Sequence, residues 1–275
     1  MWTTKNRARY ERKGLRYESD LTDEEYALIE PLLPPERSIS RRSLINGILY
    51  VLTTGCQWRQ LPKDFPPKST THDYFVELQC TGVLTRLHHA LYAEVRVLEG
   101  RAATPTLAIV DSQTVKSAEK RGVKIDSAGY DAGKKIKGKK RHTAVDTIGL
   151  LINLAVTPGD VQDRHMIAPL LAIARMRFAS LQKAIADGGY QGKVTADEVQ
   201  EDAGIPLEIV KRSDVAKGFH VLPKRWIVER TYGWLGRCRR LAKDYENLTR
   251  SHVAFIILAM IRLMLRRIVR LAGVT

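Results

Sequence analysis

From Leu21 the apolar positions recur at helical spacing. "LTDEEYALIEPLLPP" offers Thr22 as a hydroxyl cap and acids in its first turn, and it stops at Pro34-Pro35. "SRRSLINGILYVLTTG" sets Ile45, Ile48, Leu49 and Leu52 at i, i+3, i+4 and i+7, which predicts a second helix with one buried stripe. "CQWRQLPKDFPPKS" is proline-broken and reads as a loop anchored by Trp58. "STTHDYFVELQCTG" opens a third helix, and Leu84, Leu87, Leu91, Val95 and Leu98 mark a fourth. After the small-residue stretch "EGRAATPT" (99–106) the period changes. "TLAIVD" (106–111) predicts a buried strand, "HTAVDTIGLLINLAVTPG" two strands around a turn at Thr147 to Gly149, and "MIAPLLAIARMRF" a helix. "KAIAD" (183–187) and "PLEIVKR" predict further strands, and two helices close the pattern. Helices first, then strands alternating with helices, predict a small all-helical domain over 18–100. An α/β domain with a mixed central sheet flanked by helices follows over 101–275.

Charge adds a partner to this picture. Forty-five Lys and Arg against 30 Asp and Glu leave +15 over 275 residues, an excess that calls for a polyanion, nucleic acid before anionic membrane. The apolar run Ala254 to Ile261 is broken by Arg262, well short of the ~20 residues a membrane span needs. The basic N-terminus lacks the apolar core of a secretory signal. Three separated cysteines form no CxxC pair and suit a reducing cytoplasm. Residues 1–17 carry six bases and one acid, either a solvated tail or an arm for phosphates. The short helices fit a helix-turn-helix-like module in which Lys68, Ser69, Thr70, Thr71 and His72 face a DNA groove. "KKIKGKKR" packs six bases, Lys134, Lys135, Lys137, Lys139, Lys140 and Arg141, into eight residues as a phosphate-holding stretch. RNA binding would call for aromatic stacking platforms, and a 7% aromatic content with no RNP-like run argues against it.

Three carboxylates stand out against that basic background. Asp111 and Asp187 each end an apolar run and precede small or polar residues. Each is a turn or capping residue, or one of two ligands converging at strand ends, where α/β sheets collect ligands. In "KRWIVERTYGWLGRCRRLAKDYE" a stripe of Ile227, Thr231, Trp234, Cys238, Leu241 and Tyr245 is the expected core face. Arg225, Glu229, Tyr232, Gly233, Gly236, Arg240 and Lys243 lie opposite, with Glu229 the lone acid among bases. An Arg225–Glu229 surface pair explains those two residues but not the glycines, each costing a helix ~1 kcal/mol. A large partner approaching closely explains both. Two strand-end aspartates and a helical glutamate suit two Mg²⁺ ions, which take hard oxygen ligands and, ~4 Å apart, clamp a phosphodiester displacement. Asp146 reads as a hairpin-turn residue, and Asp160, Asp163 and His165 as capping residues. The last helix, with Arg262, Arg266 and Arg270 on one stripe, either lies on a membrane or packs under the sheet with a basic rim.

The chain resembles the DDE transposases of bacterial insertion sequences, in the insertion sequence 5 family. The resemblance lies in "LTDEEYALIEPLLP", "GCQWRQLPKDFPP", "IVDSQTVKSA", "GYDAGKKIKGKKRHTAVDTIGL", "ADGGYQG" and "RWIVERTYGWLGRCRRLAKDYE", in that order. It implies an RNase H-like catalytic fold over 101–275 and metal-dependent cleavage and strand transfer of double-stranded DNA at transposon ends and target. The ions would be Mg²⁺, with Mn²⁺ as substitute. The resemblance maps the catalytic acids onto Asp111, Asp187 and Glu229, with Arg225 four residues before the glutamate. Leu222 and Gly236 stand where related transposases carry a tyrosine and a lysine, with Arg237 next along. Arg237, Arg240 and Lys243 are expected to contact DNA. A homodimer or higher oligomer assembled on DNA, in the bacterial cytoplasm, completes the expectation. The alternative is a non-catalytic DNA-binding regulator derived from such an enzyme.

Overall fold

The computed structural model describes Arg12 and residues 14–120, 124–210 and 226–273. Helix α1 (Asp23–Ile29) begins where the hydroxyl cap predicts. Thr22 Oγ1 accepts from the Glu25 amide at 3.2 Å, and Glu25 Oε2 accepts from the Thr22 amide at 3.1 Å, a reciprocal capping box. Glu25 is buried because Arg12 meets it at 2.6 Å. Helix α2 (Arg41–Thr54) is capped by Ser40 and ends on Gly55 in the left-handed region at φ 73°, the usual glycine stop. Helices α3 (Lys68–Cys80) and α4 (Val83–Leu98) follow. Ile48, Leu49, Leu52, Phe75, Leu87 and Leu91 from these helices are all buried.

Two compact units divide the chain: Met1–Arg101 with Cys238–Arg240 and Ile257–Thr275, and Ala102–Arg237 with Leu241–Ile256. This departs from a boundary that assigns all of 101–275 to one domain. The last helix, α8 (Thr249–Leu271), supplies its first residues to the second unit and the rest to the first. There Leu258, Ile261 and Leu265 share an apolar pocket with Leu21, Leu49 and Leu87. Arg262 and Arg266 also differ from the free basic rim expected of them. Burial lowers both guanidinium pKa values, Arg266 to about 9, and Arg266 donates to the Glu18 carbonyl at 2.7 Å.

The second unit is built on a six-stranded mixed sheet. Strands β1 (Leu107–Lys116), β2 (Gly129–Asp131), β3 (Ile136–Val145), β4 (Leu151–Pro158), β5 (Lys183–Asp187) and β6 (Leu207–Val210) run in the order β2-β3-β1-β5-β6. Strand β4 pairs with the part of β3 beyond β2. Strand β3 is antiparallel to β1, β2 and β4, and β5 and β6 are parallel to β1, so β3 alone runs against the rest. Asp146 holds the β3–β4 turn as its sequence position predicts, accepting from the amides of Ile148 and Leu150 at 3.0 and 2.8 Å. Helices α5 (Asp163–Arg177), α6 (Lys193–Ala203) and α7 (Trp226–Gly236) complete the unit. Gln162, not one of the expected aspartates, is the cap residue of α5; Asp163 sits in its first turn, where a negative charge suits the helix dipole.

Candidate active site

The paired strands β1 and β5 set the two aspartates side by side. Leu107 is opposite Lys183, Ala108 opposite Ala184 and Ile109 opposite Ile185, an offset of 76 residues. The pairing ends at Ile109 and Ile185; the same offset carried two residues further would put Asp111 level with Asp187 (111 + 76 = 187), at the point where β5 ends. Strands in a sheet lie ~4.8 Å apart and residues at one level share a face, so both carboxylates would leave the sheet on one side. Both are half-buried. Asp111 Oδ1 accepts from the Ser112 amide at 2.7 Å, and Asp187 Oδ1 caps the 3-10 turn Gly188–Tyr190 by accepting from the Gly189 amide at 2.8 Å.

Helix α7 lies against β1 and β3. The phenol of Tyr232 is buried, 2.6 Å from Thr143 Oγ1 and 3.0 Å from the carbonyl oxygen of Asp111. Burial pushes its pKa well up, and the Asp111 carboxylate adds to the effect. The helix is fixed at its far side by the β3–β4 turn, where Thr231 Oγ1 donates to the Gly149 carbonyl at 2.8 Å and Arg230 donates to that of Ile148 at 2.9 Å. Gly149 is needed there twice over. Its φ is +83°, and a Cβ would come within 2.9 Å of Thr231 Oγ1. The Arg230 guanidinium sits between the rings of Trp226 and Trp234, at 4.6 and 4.7 Å. Glu229 is exposed in the first turn of α7, and Arg225 lies outside the described residues. Among the described residues, no group of three or more His, Cys, Asp or Glu side chains is close enough to hold a metal ion. The two aspartates thus stand on neighbouring strands of the sheet, while Glu229 does not join them in such a cluster.

The core face of α7 is rotated from the expected one. Val228, Tyr232 and Leu235 are buried beside Ile227 and Thr231, Trp234 is only half-buried, and the helix stops at Gly236 instead of running on to Tyr245, which is exposed. Tyr232 is therefore the residue that sequence reasoning missed. Its spacing of three from Glu229 put it on the outward face, whereas its hydroxyl finds polar partners inside the sheet.

Several residues expected to touch DNA turn inward. Lys139, Lys140 and Arg141 lie in the middle of β3 and are at most 7% exposed. Lys139 Nζ donates to Thr249 Oγ1 at 2.7 Å, and Lys140 Nζ lies 3.1 Å from Asp163 and donates to the Val161 carbonyl at 2.9 Å. Arg141 donates to His252 Nε2 at 2.9 Å and to the Leu241 carbonyl at 2.7 Å. Strand alternation in a sheet covered on both faces leaves such bases no route to a phosphate. Thr71 is likewise buried, donating to the carbonyls of Pro66 and Pro67 near 3.2 Å, and Arg240 is buried with a donor on the Cys56 carbonyl at 3.0 Å. Lys68, Lys134, Lys135, Lys137, Arg237 and Lys243 are exposed, and Thr70 is half-exposed. Of the basic arm, Arg12 and Arg16 pair with the chain's own Glu25 and Asp20; residues 1–11 and Lys13 lie outside the described residues.

The family described as a transposase DDE domain matches residues 102–264, and one described as a putative transposase of the IS4/5 family matches residues 21–88. The chain belongs to the DDE transposase family. Its sheet and flanking helices are accordingly the RNase H-like fold of that family, and its function lies in transposition. The putative transposase for insertion sequence element IS402 of Burkholderia cepacia is 32% identical over 126 residues, covering 43% of this chain and 59% of that relative. The insertion element IS402 uncharacterized 16.2 kDa protein, from the same organism, is 35% identical over 113 residues, covering 35% of this chain and 73% of the relative. The chain thus spans under two thirds of the length of the relative described as a transposase. No helix among the described residues is long and apolar enough to cross a membrane.

Proposed function

We propose that the chain cleaves double-stranded DNA at the ends of an insertion sequence and transfers the freed strand into target DNA, by metal-dependent phosphoryl transfer. The observation that supports this most is the placing of Asp111 and Asp187 on the paired neighbouring strands β1 and β5, inside the stretch matching the DDE domain. Paired carboxylates of this kind suit Mg²⁺, which binds through one or two carboxylates and completes its shell with water and substrate phosphates. Asp111, Asp187 and Glu229 would hold two such ions, with Mn²⁺ as substitute, and Arg225 would orient Glu229 or a phosphate. When bound, the ions supply Lewis-acid activation of water and of the phosphate oxygens.

The chain's own part is positional. The two adjoining strands fix where the aspartates start, and the side chain of Glu229, exposed in the first turn of α7, would join them when DNA is bound. Exposed Lys134, Lys135, Lys137, Arg237 and Lys243 hold phosphates without reading sequence. Helix α3, with Lys68 and Thr70 near its start, would read the end sequence. A homodimer or larger assembly on DNA, in a bacterial cytoplasm, fits this role.

Asp111→Asn, Asp187→Asn and Glu229→Gln should each abolish cleavage of end-containing DNA in Mg²⁺ and leave end binding within about twofold, since affinity rests on distributed bases. Full cleavage by any one of the three variants would remove that residue from the site. An unmodified chain that binds end DNA yet never cuts it, with Mg²⁺ or Mn²⁺ present, would instead support a DNA-binding regulator.

A further inference from the structure

Tyr232 has a role that its burial alone does not explain. A phenylalanine would fill the same apolar space, yet the hydroxyl lies 2.6 Å from Thr143 Oγ1, 3.0 Å from the Asp111 carbonyl oxygen and 3.4 Å from that of Arg141. A phenol has one proton to give and lone pairs to receive. The Asp111 carbonyl oxygen can accept from the Tyr232 hydroxyl at 3.0 Å and from Thr143 Oγ1 at 3.3 Å, and the two hydroxyls share a hydrogen bond that either can donate. Thr143 stands directly opposite Asp111 across β1 and β3, so the two hydroxyls lie on the rung of the sheet that carries the first aspartate. Tyr232 is also one turn along α7 from Glu229, and residues three apart on a helix are neighbours. A single hydroxyl therefore bridges the backbone of one acid and the helical turn that bears another.

We propose that the Tyr232 hydroxyl is a positioning group for the proposed metal-binding carboxylates, fixing the Asp111 backbone and the height over it of α7, the helix that bears Glu229. Thr143 holds that hydroxyl in register. This rests on the metal-dependent reading above. Groups that orient metal ligands from behind typically cost ~10–100-fold in metal affinity or activity when removed, and misplacement by about 1 Å can cost ~10²-fold in rate.

The test is Tyr232→Phe in the full chain, with two readouts besides thermal melting. One is Mn²⁺ binding to the DNA-bound protein, followed by the electron paramagnetic resonance of free Mn²⁺. The other is single-turnover cleavage of end DNA at saturating DNA. The expected result is Mn²⁺ binding weakened ~10-fold or more and cleavage slowed ~10–100-fold, with affinity for end DNA unchanged. Thr143→Val should move both quantities the same way by less, and it answers the question if Tyr232→Phe fails to fold. A lower melting temperature with Mn²⁺ binding and cleavage both intact would overturn the inference, reducing Tyr232 to packing. If the unmodified chain neither binds Mn²⁺ nor cuts, the proposed function itself fails, and the inference with it. A chain in which Asp111→Asn abolishes cutting while Tyr232→Phe does not loses only the inference.

Discussion

His142 and His252 are each about 1% exposed and sit among charges that fix their state. His142 shares a hydrogen with Thr157 Oγ1 at 2.9 Å, while His252 accepts from Arg141 at Nε2 and faces Asp244 through Nδ1 at 3.1 Å. Burial lowers both imidazole pKa values to about 4; Asp163 and Asp244 respectively only partly oppose it. Burial alone would raise the Asp244 carboxyl, but hydrogen bonds from His252, Lys120 and Ser117 more than offset that and hold it well below the usual carboxylate range. The folded protein therefore binds fewer protons at these histidines than the unfolded chain does between about pH 6.5 and pH 4. Stability is complete above that window and falls as the pH is lowered through it, by up to a few kcal/mol for each histidine at ~1.4 kcal/mol per pKa unit. Urea midpoints measured from pH 7.5 to 4 should drop across this range, and less steeply in His142→Asn. A flat profile would contradict the burial argument. None of this was legible in the sequence, where both histidines matched no metal pattern. Asp111, Asp187 and Glu229 could be singled out because an acid beside apolar runs or among bases is conspicuous. Tyr232 could not, since its partners lie about 90 and 121 residues away in β3 and β1.

At the level of elements, period and caps carried most of the information. Thr22, Ser40 and Gly55 mark helix ends by local hydrogen bonds and backbone freedom, so α1 and α2 fall where their sequences predict. The strand "KAIAD" coincides with β5, because an apolar run between turn residues has one natural length. Strand β2 and helix α6 were not read: β2 spans only Gly129–Asp131, and α6 buries only Thr195, Val199 and Ala203. The long helix expected around Glu229 ends at Gly236 and gives way to a short 3-10 turn over Arg239–Leu241. The division of α8 between two units was equally hidden, since an apolar stripe does not say what it faces. It has a direct consequence for dissection. A fragment ending near Thr104 omits Leu258, Ile261 and Leu265 and so bares Leu21, Leu49 and Leu87. That fragment alone should give a broad, non-cooperative melt and bind the dye 8-anilinonaphthalene-1-sulfonate, and adding a peptide of residues 249–273 should restore a sharp transition. A cooperative fold from residues 1–104 by themselves would show that the helix is dispensable.

Over the whole molecule the charge of +15 overstates what reaches a partner. Lys139, Lys140, Arg141 and Arg240 are spent on internal carbonyls, hydroxyls and acids, whereas Lys134, Lys135 and Lys137 are exposed. Replacing these last three by alanine should lower the slope of log affinity against log salt by up to ~3, at ~0.9 per phosphate contact, without changing which DNA is preferred. Lys139→Ala and Lys140→Ala should instead lower the melting temperature and leave the slope nearly unchanged. Equal effects on the slope from both groups would show that the buried lysines reach DNA after all. The sequence made a polyanionic partner plain, but it could not sort inward from outward bases in "KKIKGKKR". Alternation along a strand does so only when one face is open, and β3 is buried on both faces from Gly138 onward.

The sharing of α8 also orders events during synthesis. Residues up to 101 leave the ribosome well before Ile257 to Leu271, the part of the helix that belongs with them. At ~5–20 residues per second the 155 residues between them (256 − 101) take on the order of ten to thirty seconds. For that interval the residues up to 101 carry an open apolar face, so chaperones have a defined segment to cover, and the arrival of Ile257 to Leu271 releases it.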